Sequence, residues 1–254
     1  MSVTEAMLAV CPRARMQHTP RMAQSGSRTR QAQAGMSLIE MMIALLLGLI
    51  VVAAVYNMYT GTMRSSRFTN GLQSMQENGR TGVSVLQKGF RLAGYSPATR
   101  VTGFELDPAQ VDVNTVVVRL NQAFDCNGQS TAASGGVAVN TYSHDADAEQ
   151  IRCRGNSALA SDMPIVDGVE QFRVLYGIDM DADDVPESYV PFGHVDLTAE
   201  RIAALRFALL VSSGTAIRSR PLAEQHVVLD AAYDTNDRVV RSVFSSTVKL
   251  RNRR

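Results

Sequence analysis

A single acid, Glu40, stands at the head of an apolar run from Met41 to Tyr56. With Met36, Leu38 and Ile39 before it, the segment reaches membrane length, since a spanning helix needs about 20 residues. A carboxylate near a bilayer centre costs roughly 2.5–3.5 kcal/mol even on a lenient insertion scale, so such a residue calls for a function and a partner. Five basic residues precede the run (Arg13, Arg15, Arg21, Arg28 and Arg30) against one acid, Glu5. That bias holds the N-terminus in the cytoplasm. A secretory signal is cut after its apolar region at a small-residue site, and Ala53-Ala54 followed by Tyr56 and Asn57 makes a poor one. A plain anchor leaves Glu40 unexplained.

The segment Gly35-Met36-Ser37-Leu38-Ile39-Glu40, behind a basic leader, resembles the prepilin start of type IV pilins and their relatives. The resemblance implies a cut between Gly35 and Met36 by a membrane-embedded prepilin peptidase, then N-methylation of Met36. It gives Glu40, the fifth residue after the cut, a role in assembly. Its carboxylate would neutralise the N-terminal ammonium of a neighbouring subunit in the fibre core, where a paired charge is tolerable and a lone one is not. The family most often begins its mature chain with Phe. Met36 is apolar and unbranched and fits the same place. The leader is long for the family, and Met16 or Met22 also serves as a start, because Met22 keeps Arg28 and Arg30 before the cut.

Without residues 1–35, 20 Lys and Arg face 23 Asp and Glu, a net charge of −3 that gives no nucleic-acid surface. Arg251, Arg253 and Arg254 form a small solvated cluster. Cys11 lies in the leader, whereas Cys126 and Cys153 lie beyond the membrane, where disulfides persist. Pairing these two leaves none over, and the closed loop stabilises the fold by about 3.5 kcal/mol on the chain-entropy model. The alternatives are two free thiols or a metal site. Two Cys this far apart without a nearby His pair make a poor zinc site.

The helix continues past Tyr56. Apolar residues recur at Phe68, Leu72, Met75, Val83, Leu86 and Phe90, which keeps one helical face, while Arg67, Gln73, Gln76, Glu77, Arg80, Gln87, Lys88 and Arg91 face out. A helix over about residues 37–92 is ~80 Å long at 1.5 Å per residue. Gly48, Gly61, Gly71, Gly79, Gly82 and Gly89 weaken it by up to ~1 kcal/mol each. They read as close packing, as kinks, or as a helix that partly melts on entering the fibre. Gly94 and Pro97 end it.

Beyond it, period-two, β-branched stretches predict strands at 111–120, 137–142, 150–154, 169–178, 203–212, 225–229 and 238–250. Leu197–Ile202 reads as a short helix with Thr198 as N-cap. The expected class is α+β, a long N-terminal helix packed on an antiparallel sheet. The chain then divides into a leader (1–35), a membrane or fibre-core helix (36–56), the amphipathic half of that helix (57–93) and a β-rich globular domain outside the inner membrane (94–254).

Later segments narrow the resemblance. Met75-Gln-Glu-Asn-Gly-Arg80, Arg91-Leu-Ala-Gly-Tyr95, Asp125-Cys-Asn-Gly128 with Cys153, Tyr176-Gly-Ile-Asp179 and Thr247-Val-Lys-Leu-Arg-Asn252 are, in this order, similar to the PilW family of minor pilins. That similarity implies a low-abundance structural subunit that helps prime fibre assembly. Its partners would be the other minor pilins, the major pilin, the prepilin peptidase and the assembly platform. It would start as a single-pass inner-membrane precursor and end in a cell-surface pilus. Adhesion, DNA uptake and twitching motility are all compatible. The rival readings are a minor pseudopilin of a type II secretion system and a membrane-tethered adhesin that never polymerises and has no need of Glu40.

No enzyme is indicated, because the chain lacks Gly-x-Ser-x-Gly, His-Glu-x-x-His and phosphate-binding glycine loops. His18, His144, His194 and His226 are scattered along it. No cofactor is called for except calcium, which the acidic stretch 179–187 raises. Asp179, Asp181 and Asp183 alternate like the first ligands of a calcium loop, but Asp184 stands where that loop has Gly and Val190 where it has Glu. The other readings are a solvated acidic hairpin turn and an acidic tip that meets a neighbouring subunit's basic patch.

Overall fold

The computed structural model describes residues 35–97, 102–107 and 109–252. Residues 1–34, with Cys11, His18 and five arginines, lie outside the described residues, as do Arg253 and Arg254. The chain divides into two units, one ending at Ala53 and the other spanning Ala54–Arg254. One helix, α1 (Leu38–Arg91), starts in the first and continues into the second.

Up to Ala53 the described side chains are all exposed, including Met36, Leu38, Ile39 and the run from Met41 to Val52. An apolar surface of this extent needs lipid or a neighbouring helix to cover it. Ser37 and Glu40 stand three apart at the helix start, the spacing of a capping box. The carbonyl of Ser37 accepts the N–H groups of Glu40 and Met41 at 3.0 and 3.2 Å.

Among its described residues the second unit holds eleven strands: β1 (Phe104–Glu105), β2 (Thr115–Asn121), β3 (Val137–Asp145), β4 (Gln150–Arg154), β5 (Met163–Asp167), β6 (Val169–Ile178), β7 (Ser188–Val190), β8 (Ile202–Ala216), β9 (Leu222–Val228), β10 (Ala231–Asp237) and β11 (Val239–Lys249). They form two sheets and a hairpin where one sheet is expected. The first sheet has the order β1-β2-β3-β4-β5, the second β11-β8-β6-β7, and β9 pairs only with β10. Every pairing is antiparallel. The chain changes sheets at Gly168, whose φ of 72° joins β5 to β6 through a single residue. Such a left-handed backbone favours glycine.

Several sequence expectations shift. Strand β2 begins at Thr115 because the Asp112 side chain accepts the N–H of Asn114 at 2.6 Å and turns the chain first. Leu197–Ile202 is a three-residue 3₁₀ turn, Ala199–Arg201, and Thr198 makes no side-chain cap. Phe68 is exposed, while Leu72 and Val83 are half-buried and Met75, Leu86 and Phe90 are buried. Gln87 turns inward and donates to the Ser246 hydroxyl.

Residues 71–90 of α1 run along the second sheet antiparallel to β8. A Cβ built at Gly71 comes near Ser213, one at Gly82 near Leu209, and the Phe90 ring meets Phe207 edge-on at 5.3 Å. Phe90 also meets Tyr142 of the first sheet at 5.5 Å, so the helix binds both sheets into one core. Burying a side chain of the Leu or Phe type stabilises the fold by roughly 1.5–3 kcal/mol. Burial also raises the Tyr142 hydroxyl pKa to about 12.

The glycines of α1 fall into two kinds. A Cβ at Gly79 would lie 2.4 Å from the Phe244 ring, and one at Gly82 2.7 Å from Leu209. Nothing lies within 4 Å of a Cβ at Gly48 or Gly61. Gly79→Ala should therefore lower stability by ~1–3 kcal/mol through overpacking. Gly61→Ala should add up to ~1 kcal/mol of helix propensity. Denaturant unfolding of the two variants in detergent measures the contrast, and equal shifts would reject it.

The hairpin β9–β10 covers Ala208 and Leu210 on the outer side of β8 with Val228, Leu229 and Tyr233. Arg173 grips Asp230 at 3.1 and 2.7 Å, Arg218 grips Glu224 at 2.8 and 2.9 Å, and Arg241 bridges Asp237 and Glu170. Hydrogen bonds from Arg241 hold the Asp237 carboxyl down to about 2. A carboxyl depressed on folding stabilises above its unfolded pKa of about 4, and that contribution is lost as pH falls toward 2. The thermal midpoint should drop over that window, and Asp237→Asn should flatten part of the drop.

Candidate functional site

Gly35 and Met36 lie in exposed, non-helical backbone just before α1. A Cβ at Gly35 meets nothing within 4 Å among the described residues. Glu40 lies in the first turn of α1, exposed, among Leu38, Ile39, Met41 and Met42. The N-terminal end of a helix dipole favours a negative charge at this position. The arrangement is thus a free peptide bond, an apolar helix and one carboxylate set at its start.

Cys126 and Cys153 are joined in a disulfide with Cα atoms 6.4 Å apart, linking the 122–130 loop to β4. The residues beside Cys126 build its seat. Asp125 is buried and accepts the N–H groups of Asn127 and Gln129 at 3.0 and 2.9 Å. Asn127 accepts the N–H of Gly155 at 2.6 Å and donates to the carbonyl of Ser161 at 2.7 Å. Asn140 accepts the Cys126 N–H at 2.9 Å. Gly128 has φ 71°, and a Cβ at Gly155 would strike the Asp125 carboxylate. Asn140, Gly155 and Ser161 carry no sequence signal, because they reach this loop only through strand pairing.

The acidic turn joins β6 to β7. Carboxylate oxygens of Asp179, Asp181, Asp183 and Glu187 lie within 4.8 Å of one another. Asp179 is buried, which departs from a wholly solvated turn. It accepts the N–H groups of Ala182 at 2.7 Å and Asp184 at 3.0 Å, and Glu187 accepts that of Met180 at 2.9 Å. Asp184 takes φ 68°, filling a left-handed position that a calcium loop gives to Gly. Val190 sits in β7 opposite Tyr176. These oxygens suit a hard cation, yet the turn also closes on its own N–H groups. Of the histidines, His144 contacts the Val169 carbonyl at 2.8 Å, His226 lies beside Glu224 and Thr235, and His194 beside Asp196.

Residues 30–56 match the prokaryotic N-terminal methylation motif, and residues 137–252 match the family of type IV pilus-assembly protein W. Over these residues the chain is similar to the PilW-type minor pilins. A type IV-like pilin from Thermus thermophilus is 17% identical at a TM-score of 0.46, over 71% of this chain and 95% of that one. No curated protein matches. In this chain the methylation motif covers Gly35, Met36 and Glu40, and the family match covers β3 to β11 and Cys153. The long apolar start of α1 fits membrane anchoring.

Proposed function

We propose that this pilin primes or supports assembly of a type IV pilus, after cleavage between Gly35 and Met36 and N-methylation of Met36. The carrying observation is the lone Glu40 in an exposed apolar helix that falls within a methylation motif. The anchor holds the precursor in the inner membrane with its N-terminus in the cytoplasm, as the basic leader requires. On assembly the apolar helices pack side by side, and Glu40 neutralises the terminal ammonium of a neighbour. The partners on this reading are the prepilin peptidase, the assembly platform, the major pilin and the other minor pilins.

Because a Cβ at Gly35 meets no described residue within 4 Å, Gly35→Leu should fold normally and accumulate as uncut precursor. Gel mobility equal to that of the processed wild type would reject the cleavage claim. A deletion strain separates pilus from secretion system. Loss of sheared surface pili with intact enzyme secretion supports the pilus reading. Intact pili with lost secretion make the chain a pseudopilin, and loss of neither returns it to a tethered adhesin.

A further inference from the structure

Strand β11 is the long open edge of the second sheet, with β8 as its one ladder partner among the described residues. The N–H of Leu250 donates to the carbonyl of Ala203 at 2.9 Å. An antiparallel ladder bonds alternate residues, so this bond sets the phase. Ser242, Phe244, Ser246 and Val248 bond toward β8. The N–H and C=O groups of Val243, Ser245, Thr247 and Lys249 point away from it and find no backbone partner among the described residues.

Proteins ordinarily blunt such edges with charge, proline, bulges or shortness. Here β1 has two residues, β7 has three, and β5 carries Pro164. The hairpin edges carry Glu224, Asp234 and Asp237. From Ser242 to Val248, β11 has no charge, proline or glycine, and its bulge lies earlier, between Val239 and Arg241. Arg241 is turned inward to Glu170 and Asp237. Beside this edge Arg80, Val83 and Gln87 of α1, with Val243, Phe244 and Ser245, line an open groove of about 530 Å³. Arg80 is exposed and has no ion pair among the described residues.

We propose that β11 accepts an extended strand from a different pilus subunit, laid along Val243–Lys249. Alternate side chains of the guest rest in the groove, aliphatic beside Val83 and Phe244 and acidic against Arg80. Backbone addition to a sheet edge supplies affinity, and pockets for alternate side chains supply specificity. A second copy of this chain does not fit by antiparallel pairing of β11 or by pairing with β7. Antiparallel pairing of two β11 strands places a two-fold axis normal to the sheet, which reverses residues 71–90 of one helix against the other. Fibre helices that pack side by side from one membrane are parallel. Pairing of β11 with another copy's β7 offers only three residues.

The inference rests on the pilus reading, and Ser245→Pro tests it. The Ser245 N–H points outward, so proline there spares the β8 ladder and removes a donor the guest needs. The variant should be cut and methylated and should unfold within a few degrees of wild type. Surface pili and its own incorporation should fall at least tenfold. Val243→Lys with Ser245→Lys serves if proline impairs folding, and Ser246→Pro, which breaks the ladder, is the unfolding control. In cells, a benzophenone side chain at Thr247 should cross-link to an extended segment of another pilin, and one at Val243 to the same segment a few residues away. Wild-type piliation by both edge variants, or cross-links confined to a second copy's β11, would overturn the inference. A deletion strain with normal pili would instead overturn the pilus reading.

Discussion

Glu40→Ala should leave the chain folded, cut after Gly35 and methylated, yet missing from sheared fibres. Glu40 is exposed in the first turn of α1, and the second unit, with the core, begins at Ala54. Its loss therefore leaves stability unchanged. In a fibre core the terminal ammonium of a neighbour would stay unpaired in a medium of low dielectric constant. Removing one partner of such a pair costs about 3–5 kcal/mol. Since 1.4 kcal/mol is tenfold in an equilibrium constant, incorporation should fall by well over a hundredfold. Mass spectrometry of the N-terminal peptide checks processing, and quantifying the subunit in sheared pili checks incorporation. Fibres carrying the variant at the wild-type level would remove charge pairing as the role of Glu40.

Replacing Cys126 and Cys153 together by Ser should give the largest loss of stability. Opening a loop of 27 residues costs about 3.5 kcal/mol on the chain-entropy model. For a unit of about 200 residues each kcal/mol moves the midpoint by roughly 2–4 °C, so a drop of about 10 °C is expected. The β8, β6 and β11 ladders do not involve this loop and should persist. Midpoints with and without reductant measure the effect. A wild-type midpoint indifferent to reductant would show that the seat built by Asp125, Asn127 and Asn140 holds the loop unaided.

The strands legible in the sequence are those whose β-branched or apolar residues fill a buried face. Predicted spans at 150–154 and 169–178 coincide with β4 and β6. The strands missed lack that signature. Strand β5 opens with Met163-Pro164, β1 and β7 are too short for a period, and β10 (Ala-Ala-Tyr-Asp-Thr-Asn-Asp) is polar. The turn before β10 also escapes notice, because Leu229 takes φ 56° where such turns ordinarily carry Asn or Gly.

The glycines of α1 carry the same lesson at single positions. Gly61 and Gly79 are equivalent in a sequence pattern. Only the seating of the Phe244 ring against Gly79 distinguishes them. The acidic turn reads as three alternating aspartates, yet one is buried and a glutamate closes the set, since the β6–β7 register brings Glu187 back beside Asp179.

The sequence by itself determined the long apolar start of α1, the placement of Glu40, the methylation motif and the α+β class. These rest on local chemistry: a run of apolar residues, one charge within it, and a change of period from helical to two. Tertiary structure alone decided that the strands split into two sheets at Gly168, which glycines of α1 are packed against the sheets, and that β11, uncharged from Ser242 to Val248, is left as an open edge. Each of these depends on which residues distant in the chain become neighbours, and hydrophobic burial sets that by summing over the whole core.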